Sequence, residues 1–234
     1  MHGGVDGGAR GERRVMGAAW VCPVCGQDVE PGATCRNDWC RRGDRWWSEV
    51  WSVAPHVGAL RVALADYKYR ARRHWAEVFG RMLAEFLDAR MPFFEDFDAL
   101  VPVPAYLGPG ARRGWDPVAE LVGCAARLAG PCWPVEPAVV KRAETPPMAG
   151  LGLGRRRGCA EGRLRQALEV PQRARVDAAR LIVVDDVFTE GSTMREVARV
   201  LCLAGAAEVI GVTIARQPWG PTRSTAEPGG PGRA

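Results

Sequence analysis

The segment from residue 181 to residue 214 constrains the fold of this chain more than any other. Leu181–Val184 is a continuous apolar run, which is typical of a strand buried on both faces of a parallel sheet. Four apolar residues then recur with helical spacing: Met194, Val197, Ala198 and Leu201. Gly205 ends this helix, and Val209–Ile214 is a second apolar run. A strand, a helix and a strand in succession form a βαβ unit, so we expect an α/β main body with a parallel sheet.

The first strand of this unit delivers two adjacent acids, Asp185 and Asp186, to its carboxyl end, where open α/β sheets bind ligands. A turn with one glycine and three hydroxyl residues follows and opens into the helix: Thr189, Gly191, Ser192 and Thr193. Unpaired N–H groups at a helix N-terminus face an anion. Because carboxylates accept hydrogen bonds from sugar hydroxyls, the pattern predicts a sugar-phosphate site. The alternative is a strand whose acids only cap the next helix.

Several other enzyme classes lack their signatures in this sequence. There is no G-x-x-x-x-G-K-[ST] loop, and no G-x-G-x-x-G follows a strand. These absences argue against a P-loop NTPase and a Rossmann dehydrogenase. The three histidines, His2, His56 and His74, are far from the motif in sequence. A hydrolase with a Ser/His/Asp or Cys/His site therefore has little support.

Apolar periodicity predicts four further elements: a helix over 72–90, a strand at Phe97–Val101, a helix that begins at Pro117 with Asp116 as its N-cap, and a short strand at Pro137–Lys141. The segment Thr145–Gly162 has no periodicity, and we expect it to be a long mobile loop. Lys68 and Lys141 are the only lysines in an otherwise arginine-based set of cations, so both stand out as position-specific choices.

Four cysteines near the N-terminus have the spacing C-x2-C-x9-C-x4-C: Cys22, Cys25, Cys35 and Cys40. Gly26 permits the tight turn of a metal knuckle, and four thiolates form a closed tetrahedral structural zinc site. A segment as short as 20–47 could hardly fold without such a staple. Zinc is the favoured interpretation; a disulfide pair, an iron–sulfur site and unligated thiols are the alternatives.

Val183–Thr193 resembles the phosphoribosyl-pyrophosphate (PRPP) binding motif of type I phosphoribosyltransferases, and the chain from about Val21 to Arg216 resembles the bacterial competence-protein ComF family. The supporting segments are the cysteine cluster, Tyr67-Lys68-Tyr69, Val101–Pro104, Arg112–Trp115 and Thr145–Leu151. This resemblance implies a twisted, mainly parallel sheet flanked by helices over residues 48–216. It also implies a small zinc-ribbon module over residues 20–47.

The resemblance also implies roles for individual residues. Asp185 and Asp186 would bind the ribose hydroxyls, and Lys68 and Arg113 would lie near the pyrophosphate and complete the catalytic set. The remaining PRPP contacts would come from Val103, Pro104, Thr189, Glu190, Gly191, Ser192 and Thr193. Such enzymes bind PRPP with Mg²⁺ and act as glycosyltransferases, passing the ribosyl phosphate to an acceptor that the sequence does not identify. The Thr145–Gly162 segment would then be the hood that excludes water.

Four positions depart from the family pattern. Glu190 stands where a second Thr is usual, Met148 and Pro117 where Gln is common, and Gly158 where Asn is frequent. Glu190, Met148 and the lack of an evident acceptor-activating base favour an alternative function, a non-catalytic PRPP-responsive or DNA-handling adaptor. The family's association is with DNA uptake during natural competence, so single-stranded DNA, proteins of the competence machinery and a second copy of the chain are candidate partners.

Two clusters of charged or aromatic residues each have two interpretations. Three tryptophans and three arginines could form a nucleic-acid surface, or the tryptophans could pack the small module onto the main domain: Trp46, Trp47, Trp51, Arg41, Arg42 and Arg45. Arg155–Arg157 could clamp pyrophosphate or form a solvated charge run.

Composition limits the class of protein. Hydrophobic residues make up 47% of the chain and the net charge is +5, so a globular fold is expected and anionic partners are only weakly indicated. No apolar run approaches the ~20 residues of a membrane span, and Met1–Trp20 lacks the apolar stretch of a secretory signal. We therefore expect a cytoplasmic protein without membrane insertion, with a disordered leader at 1–19 and a disordered tail at 217–234.

Overall fold

The structure is a computed structural model that describes residues 20–29, 33–146 and 158–219. Its strands are β1 (Trp20–Val21), β2 (Asp28–Val29), β3 (Val50–Pro55), β4 (Ala99–Pro102), β5 (Val140–Lys141), β6 (Leu168–Glu169), β7 (Arg180–Phe188) and β8 (Glu208–Arg216). Its α-helices are α1 (Asp38–Arg42), α2 (Gly58–Arg70), α3 (Trp75–Asp88), α4 (Met91–Phe94), α5 (Pro117–Ala129) and α6 (Ser192–Leu203). Shorter helical turns are Gly130–Cys132, Ala160–Leu164 (of π type), Arg165–Ala167 and Arg173–Arg175.

The centre of the fold is a four-stranded sheet in the order β3-β8-β7-β4, and all three pairings are parallel. Val135 adds a parallel bridge to Leu100 at the β4 edge. Two antiparallel pairs, β1-β2 and β5-β6, lie outside this sheet. The expected fold class, a mainly parallel sheet flanked by helices with a small N-terminal cysteine module, is confirmed.

The two faces of the sheet bury different helices. Ile182 and Val184 of β7 belong to the apolar cluster that contains Phe79 and Leu83 of α3. Leu181 and Val183, which alternate with them along the strand, belong to the cluster on the α6 side. Because neighbouring strand residues point to opposite faces, an uninterrupted apolar run is required where both faces are covered.

The cysteine module lies on the same side of the sheet as α6. Cys25, Trp39 and Trp47 are buried in the apolar cluster that also contains Val50 and Met194. Gly211 of β8 lies against Met194, where an added Cβ would come within 2.7 Å of the methionine Cε. Segments 20–47 and 48–216, predicted as separate modules, therefore share part of one core.

Several predicted elements are present with shifted boundaries. The helix expected over 72–90 spans Trp75–Asp88, and the helix that begins at Pro117 has Asp116 as its N-cap, accepting from the N–H groups of Val118 and Ala119. Gly205, with a φ of +115°, follows α6 as expected.

Two predictions need correction, and two elements were missed. The strand expected to end at Val184 continues to Phe188, so Asp185 and Asp186 lie inside β7 rather than after it. The Thr145–Gly162 segment is not a loop throughout, because Ala160–Leu164 is helical; residues 147–157 lie outside the described part. Strand β3 and helix α2 were not predicted at all.

Helix α2 escaped prediction because its buried residues form only a narrow stripe. Ala63, Leu64 and Tyr67 are buried, whereas the apolar or aromatic residues Val62 and Tyr69 are about 60% exposed. Apolar residues on both sides of a helix blur the periodic pattern that predicts it.

The predicted leader at 1–19 and all but the first three residues of the predicted tail lie outside the described residues. Within the described ranges, none of the helices has the length and apolar character needed to cross a membrane.

Candidate functional site: a cleft at the carboxyl edge of the sheet

A cleft of about 1200 Å³ opens at the carboxyl ends of β4, β7 and β8. The parallel register pairs Pro102, the last residue of β4, with Val184 of β7, so β4 ends where the acids of β7 begin. The N–H of Val103 donates to the carbonyl of Val184 at 2.9 Å and extends this pairing by one residue. Parallel strands thus bring their carboxyl ends to one edge, where this fold class places ligands.

The floor of the cleft contains a buried charge cluster. Asp186 is 3% exposed, and its Oδ2 lies 2.6 Å from the Nζ of Lys68, which reaches down from the last turn of α2. The Oδ1 of Asp185 accepts a hydrogen bond of 2.8 Å from the N–H of Asp186. The family resemblance implies that these three residues share one site, and they lie together in the structure.

The three charges have unequal pKa shifts. Burial raises the pKa of Asp185, and the neighbouring charge of Asp186 raises it further, to about 8. Burial alone would also raise the pKa of Asp186, but the charge and hydrogen bond of Lys68 outweigh it and hold this pKa below its usual value. Burial would lower the pKa of Lys68, yet the charges of Asp186 and Asp185 raise it. Hence Lys68 and Asp186 form the ionised pair, and Asp185 carries the exchangeable proton.

The loop after β7 connects it to α6 through a backbone that only glycine adopts without strain. Gly191 precedes the helix with a φ of +101°, and a Cβ there would lie 2.8 Å from Phe188 and 2.9 Å from Trp47. All five predicted loop residues line the cleft: Thr189, Glu190, Gly191, Ser192 and Thr193. The start of a twelve-residue helix, with its unpaired N–H groups, therefore faces the cavity.

Glu190 takes an unexpected place in this loop. It is only 2% exposed, and its Oε1 accepts a hydrogen bond of 2.7 Å from the hydroxyl of Ser192. Its main-chain carbonyl accepts a second buried bond, 2.9 Å long, from the side chain of Asn37. The Ser192 hydroxyl, predicted as a phosphate donor, is thus directed at a carboxylate in this structure.

The opposite wall of the cleft follows β4. The predicted residues Val103, Pro104 and Arg113 line it, and the Arg113 guanidinium lies 5.3 Å from the ring centre of Tyr69. Pro117 also lines the cleft, and its carbonyl accepts a 2.6 Å bond from the hydroxyl of Tyr67. All of the predicted PRPP-contacting and catalytic positions therefore border one cavity.

Several further polar residues border the cleft without having been assigned a role in ligand binding, among them His56, Arg61, Arg112 and Lys141. Burial lowers the pKa of Lys141, and the charge of Arg112 adds to this effect although Glu144 opposes it. The one sequence signal that pointed to Lys141 is that lysine is rare in this chain. The Nη2 of Arg112 donates to the main-chain carbonyl of Thr145 at 3.2 Å, and this hydrogen bond joins two segments of the cleft wall.

The four N-terminal cysteines converge at one point. Their Sγ atoms lie within 4.8 Å of one another, with 3.6 Å between Cys25 and Cys35 and 3.9 Å between Cys22 and Cys40. Tetrahedral zinc with Zn–S bonds of ~2.3 Å would require separations of about 3.8 Å. All four are free thiols in this structure, so no disulfide joins them. The cluster fits a structural metal such as zinc.

A buried cation beside the cysteines supports this fit. Arg216 is 8% exposed, and its Nη1 and Nη2 have no hydrogen-bond partner among the described residues. It lies against Gly26 of the knuckle, where an added Cβ would come within 3.2 Å of Nη2. Burial lowers the pKa of Arg216, whereas the nearby thiols of Cys25, Cys22 and Cys40 raise it. An unpaired buried cation is costly, and four metal-bound thiolates would supply compensating negative charge.

The knuckle has the expected backbone. Gly26 adopts a φ of +67°, its N–H donates to the carbonyl of Cys22 at 2.7 Å, and the N–H of Cys22 donates to the carbonyl of Gln27 at 2.8 Å. The remaining cysteines lie away from this cluster: Cys124 is buried, Cys159 and Cys202 are half-buried, and Cys132 is exposed.

The three tryptophans of the predicted aromatic and basic cluster lie in different environments. Trp47 is buried between the module and Phe188, as the packing interpretation predicts, whereas Trp51 contacts Phe86 and Phe94 in the main core. Trp46 is 39% exposed. The positions of Met148 and Arg155–Arg157 lie outside the described residues.

Comparisons with known proteins agree with a DNA-related context for the relatives. The chain is 28% identical over 207 residues to a protein named DNA utilization protein YhgH from Salmonella typhimurium, with 84% of each chain covered. It is 29% identical over 192 residues to the protein of the same name from Escherichia coli K12, with 81% of each covered.

No model of a known protein family matches the sequence. Among solved structures, an allosteric regulatory enzyme of purine biosynthesis aligns at 20% identity with a TM-score of 0.37, covering 60% of this chain and 25% of that enzyme. The described cleft, the cysteine cluster and a similarity along most of their length to proteins named for DNA utilization are therefore the findings on which a function must rest.

Proposed function

We propose that the cleft binds PRPP and that the protein is a type I phosphoribosyltransferase-like member of the ComF group. One observation carries this proposal: the Asp185–Asp186 pair and the glycine- and hydroxyl-containing turn at the start of α6 line the same cavity. The turn suits a phosphate, and the carboxylates suit vicinal hydroxyls. A ribose 5-phosphate presents both groups.

The chemistry would use both walls of the cleft. In a ribosyl transfer, the bond between the ribose C1 and a diphosphate oxygen breaks, and an acceptor lone pair forms the new bond to C1. Lys68 and Arg113 would stabilise the charge on the departing diphosphate, and the acids of β7 would hold the ribose and tolerate a positive C1. Asp185 and Asp186 offer the oxygen ligands that Mg²⁺ prefers, and Mg²⁺ bound with PRPP would neutralise the diphosphate.

Calorimetry with PRPP and Mg²⁺ tests the ligand before any acceptor is known. The double variant D185N/D186N should lose at least tenfold in affinity, because both hydroxyl acceptors change. D98N is the matched control: Asp98 accepts from the N–H of Arg180 at the amino end of the same strand, at 2.7 Å. Equal PRPP affinity in all three proteins, or no binding by the wild type, contradicts the proposal.

The metal of the cysteine cluster is proposed to be zinc. It would be held by Cys22, Cys25, Cys35 and Cys40 and would fix the fold of the small module, with no position left open for substrate. Its role is structural in this proposal.

A second function, a non-catalytic PRPP-responsive adaptor, is favoured by the contact between Ser192 and Glu190. This contact withdraws a phosphate donor and adds a negative charge to the loop, so the site would bind PRPP more weakly than a site with Thr at that position. A screen of bases, amines and nucleotides for pyrophosphate release separates the two functions. Release with any acceptor supports the enzyme; measurable PRPP binding with no release supports the adaptor.

The name of the relatives suggests that such an adaptor handles DNA. The exposed ring of Trp46 would stack bases, and Arg41 and Arg42, which are exposed in the same module, would contact phosphates. Affinity for a single-stranded oligonucleotide should fall steeply with salt and fall further in W46A. F93A, which truncates an exposed aromatic residue of α4, is the control. Binding that is absent, or equal in all proteins, removes this function.

A further inference from the structure

The phosphate loop is attached to the cysteine module by a buried hydrogen bond. The side-chain Nδ2 of Asn37 donates to the main-chain carbonyl of Glu190 at 2.9 Å. Asn37 is 1% exposed and Glu190 is 2% exposed, so water does not compete for this bond. The two residues are 153 positions apart in sequence, which makes the contact a tertiary one between the module and the cleft.

Every polar group of Asn37 is engaged by the module or the loop. Its main-chain N–H donates to the Sγ of Cys35 at 3.4 Å, and its Oδ1 accepts from the N–H of Trp39 at 3.0 Å and so caps α1. Asn37 lies between two of the four cysteines, Cys35 and Cys40. Its orientation is therefore set by the same fold that brings the thiols together.

The bond fixes the direction of a peptide group in the loop. The carbonyl of Glu190 and the N–H of Gly191 belong to one planar trans peptide and point in opposite directions. Because Asn37 holds the carbonyl on the module side, the N–H of Gly191 is directed away from the module. Gly191 lines the cleft, and its φ of +101° allows this peptide to rotate more easily than one flanked by other residues. Rotation would turn a carbonyl oxygen toward an anion.

The module contacts the loop at its beginning as well. The ring of Phe188 meets the ring of Trp47 edge to face, with centres 6.3 Å apart, and the guanidinium of Arg216 lies 4.6 Å from the centre of the Phe188 ring. Arg216 in turn lies against Gly26 of the knuckle. The module thus supports the loop at two points, Phe188 just before it and Glu190 within it.

We infer that the cysteine module is the supporting wall of the anion-binding loop and that Asn37 is its positioning residue. Filling of the four-cysteine site then sets the order of the loop and its affinity for a phosphate group. The identity of the anion as PRPP rests on the proposed function; the dependence of loop order on the module does not.

Two variants of the full chain test this coupling. N37D and N37S both keep a side-chain oxygen that can cap α1, but Asp has no donor for the Glu190 carbonyl and Ser is too short to reach it. D44N is the control. Asp44 joins the same module to Arg195 in the first turn of α6, at 2.9 Å, and Arg195 lies two residues beyond the loop residues 189–193.

Amide hydrogen exchange of residues 187–193, which exclude Arg195, is the primary measurement, together with metal content and calorimetry with inorganic phosphate and PRPP. With the metal content unchanged, N37D and N37S should exchange at least tenfold faster in this segment and bind phosphate at least tenfold more weakly, whereas D44N should match the wild type. Removing the metal from the wild type with a chelator should produce the same local increase while β4 and β7 stay protected.

The outcomes separate the inference from the proposed function. Unchanged exchange in both Asn37 variants, or in the metal-free protein, overturns the coupling even if PRPP binds normally. Faster loop exchange in a protein whose wild type binds neither phosphate nor PRPP supports the coupling and contradicts the proposed function. If N37D does not fold, N37S decides the question, since it adds no charge to the buried site.

Discussion

Lys68 and Asp186 form an ion pair of 2.6 Å across the floor of the cleft, joining the last turn of α2 to the carboxyl end of β7. The Asp186 side chain is 4% exposed and that of Lys68 is 24% exposed. A charge this deeply buried is tolerated because its partner is held close, and Asp185 adds a second acid beside the pair. The pair therefore has two roles, since it keeps Asp186 ionised and holds α2 against the sheet.

Removing the lysine should cost much more stability than an exposed ion pair would. K68M leaves the Asp186 charge buried without its partner, and we expect a loss of about 2–4 kcal/mol in the free energy of unfolding, measured with urea. R70M is the matched control on the same helix. It breaks a 2.8 Å pair with Asp66, but the Arg70 side chain is 72% exposed, so the expected loss is under about 0.5 kcal/mol.

The double variant K68M/D186N should recover at least half of the loss, because it removes the orphaned charge. A K68M protein no less stable than R70M would show that the pair contributes nothing to the fold.

Replacing Glu190 by Thr should strengthen phosphate binding. E190T removes a buried negative charge from the loop and releases the Ser192 hydroxyl, which now donates to Oε1 at 2.7 Å. We expect about a tenfold gain in affinity for inorganic phosphate by calorimetry. S192A should change affinity little in the wild type but about fivefold in the E190T background. Equal effects of S192A in both backgrounds would show that Glu190 does not compete for this hydroxyl.

Local patterns in the sequence were sufficient for the β7–α6–β8 unit and for the cysteine cluster. Leu181–Val184 is apolar without interruption because both faces of β7 are covered, and the loop residues follow one another in sequence. The four cysteines converge as their spacing indicates. Lys68 could be placed near the acids only through the family resemblance, because its own helix was not predicted.

Local sequence patterns do not predict contacts between distant segments. An Asn before a short helix predicts a cap, and Asn37 is one, but nothing local indicates that its other side-chain atom reaches Glu190. Lys141 of β5 and Arg112, which follows β4, likewise border the same cleft, and apolar periodicity gives no information on that placement. The resemblance identified Glu190 as a departure from the family pattern, but it did not predict that the Ser192 hydroxyl donates to this carboxylate.

A methyl group on Gly191 should disrupt the loop. G191A places a Cβ 2.8 Å from Phe188 and 2.9 Å from Trp47, at a φ of +101° that other residues rarely adopt. We expect a loss of about 1–3 kcal/mol in the free energy of unfolding and no measurable phosphate binding. G162A is the control, since an added Cβ there meets nothing within 4 Å and its helical position favours Ala. Matching stabilities for the two variants would contradict the close packing described here.

The cysteine site should contain about one zinc per chain by elemental analysis. C22S should lose the metal and lower the thermal midpoint by at least about 5 °C, because the module's fold depends on it. C132S, which changes an exposed cysteine outside the cluster, should keep both the metal and the thermal midpoint of the wild type. An unchanged thermal midpoint in metal-free wild-type protein would show that the metal does not stabilise the fold.

The raised pKa of Asp185 predicts a pH-dependent stability that a single substitution removes. This carboxyl has a pKa of about 8 in the folded protein because of burial and the charge of Asp186, against an ordinary value of 3.8. The folded state therefore binds a proton that the unfolded state has already released. Stability falls as pH rises from about 4 toward 8, by up to about 1.4 kcal/mol per pH unit, and the fall ends above pH 8. D185N cannot ionise, so the difference in urea midpoint between D185N and wild type should grow from pH 6 to pH 8 and then stay constant. A difference that is the same at every pH would place the pKa of Asp185 near its ordinary value. Asp185 would then not be the protonated acid of the Asp185–Asp186 pair.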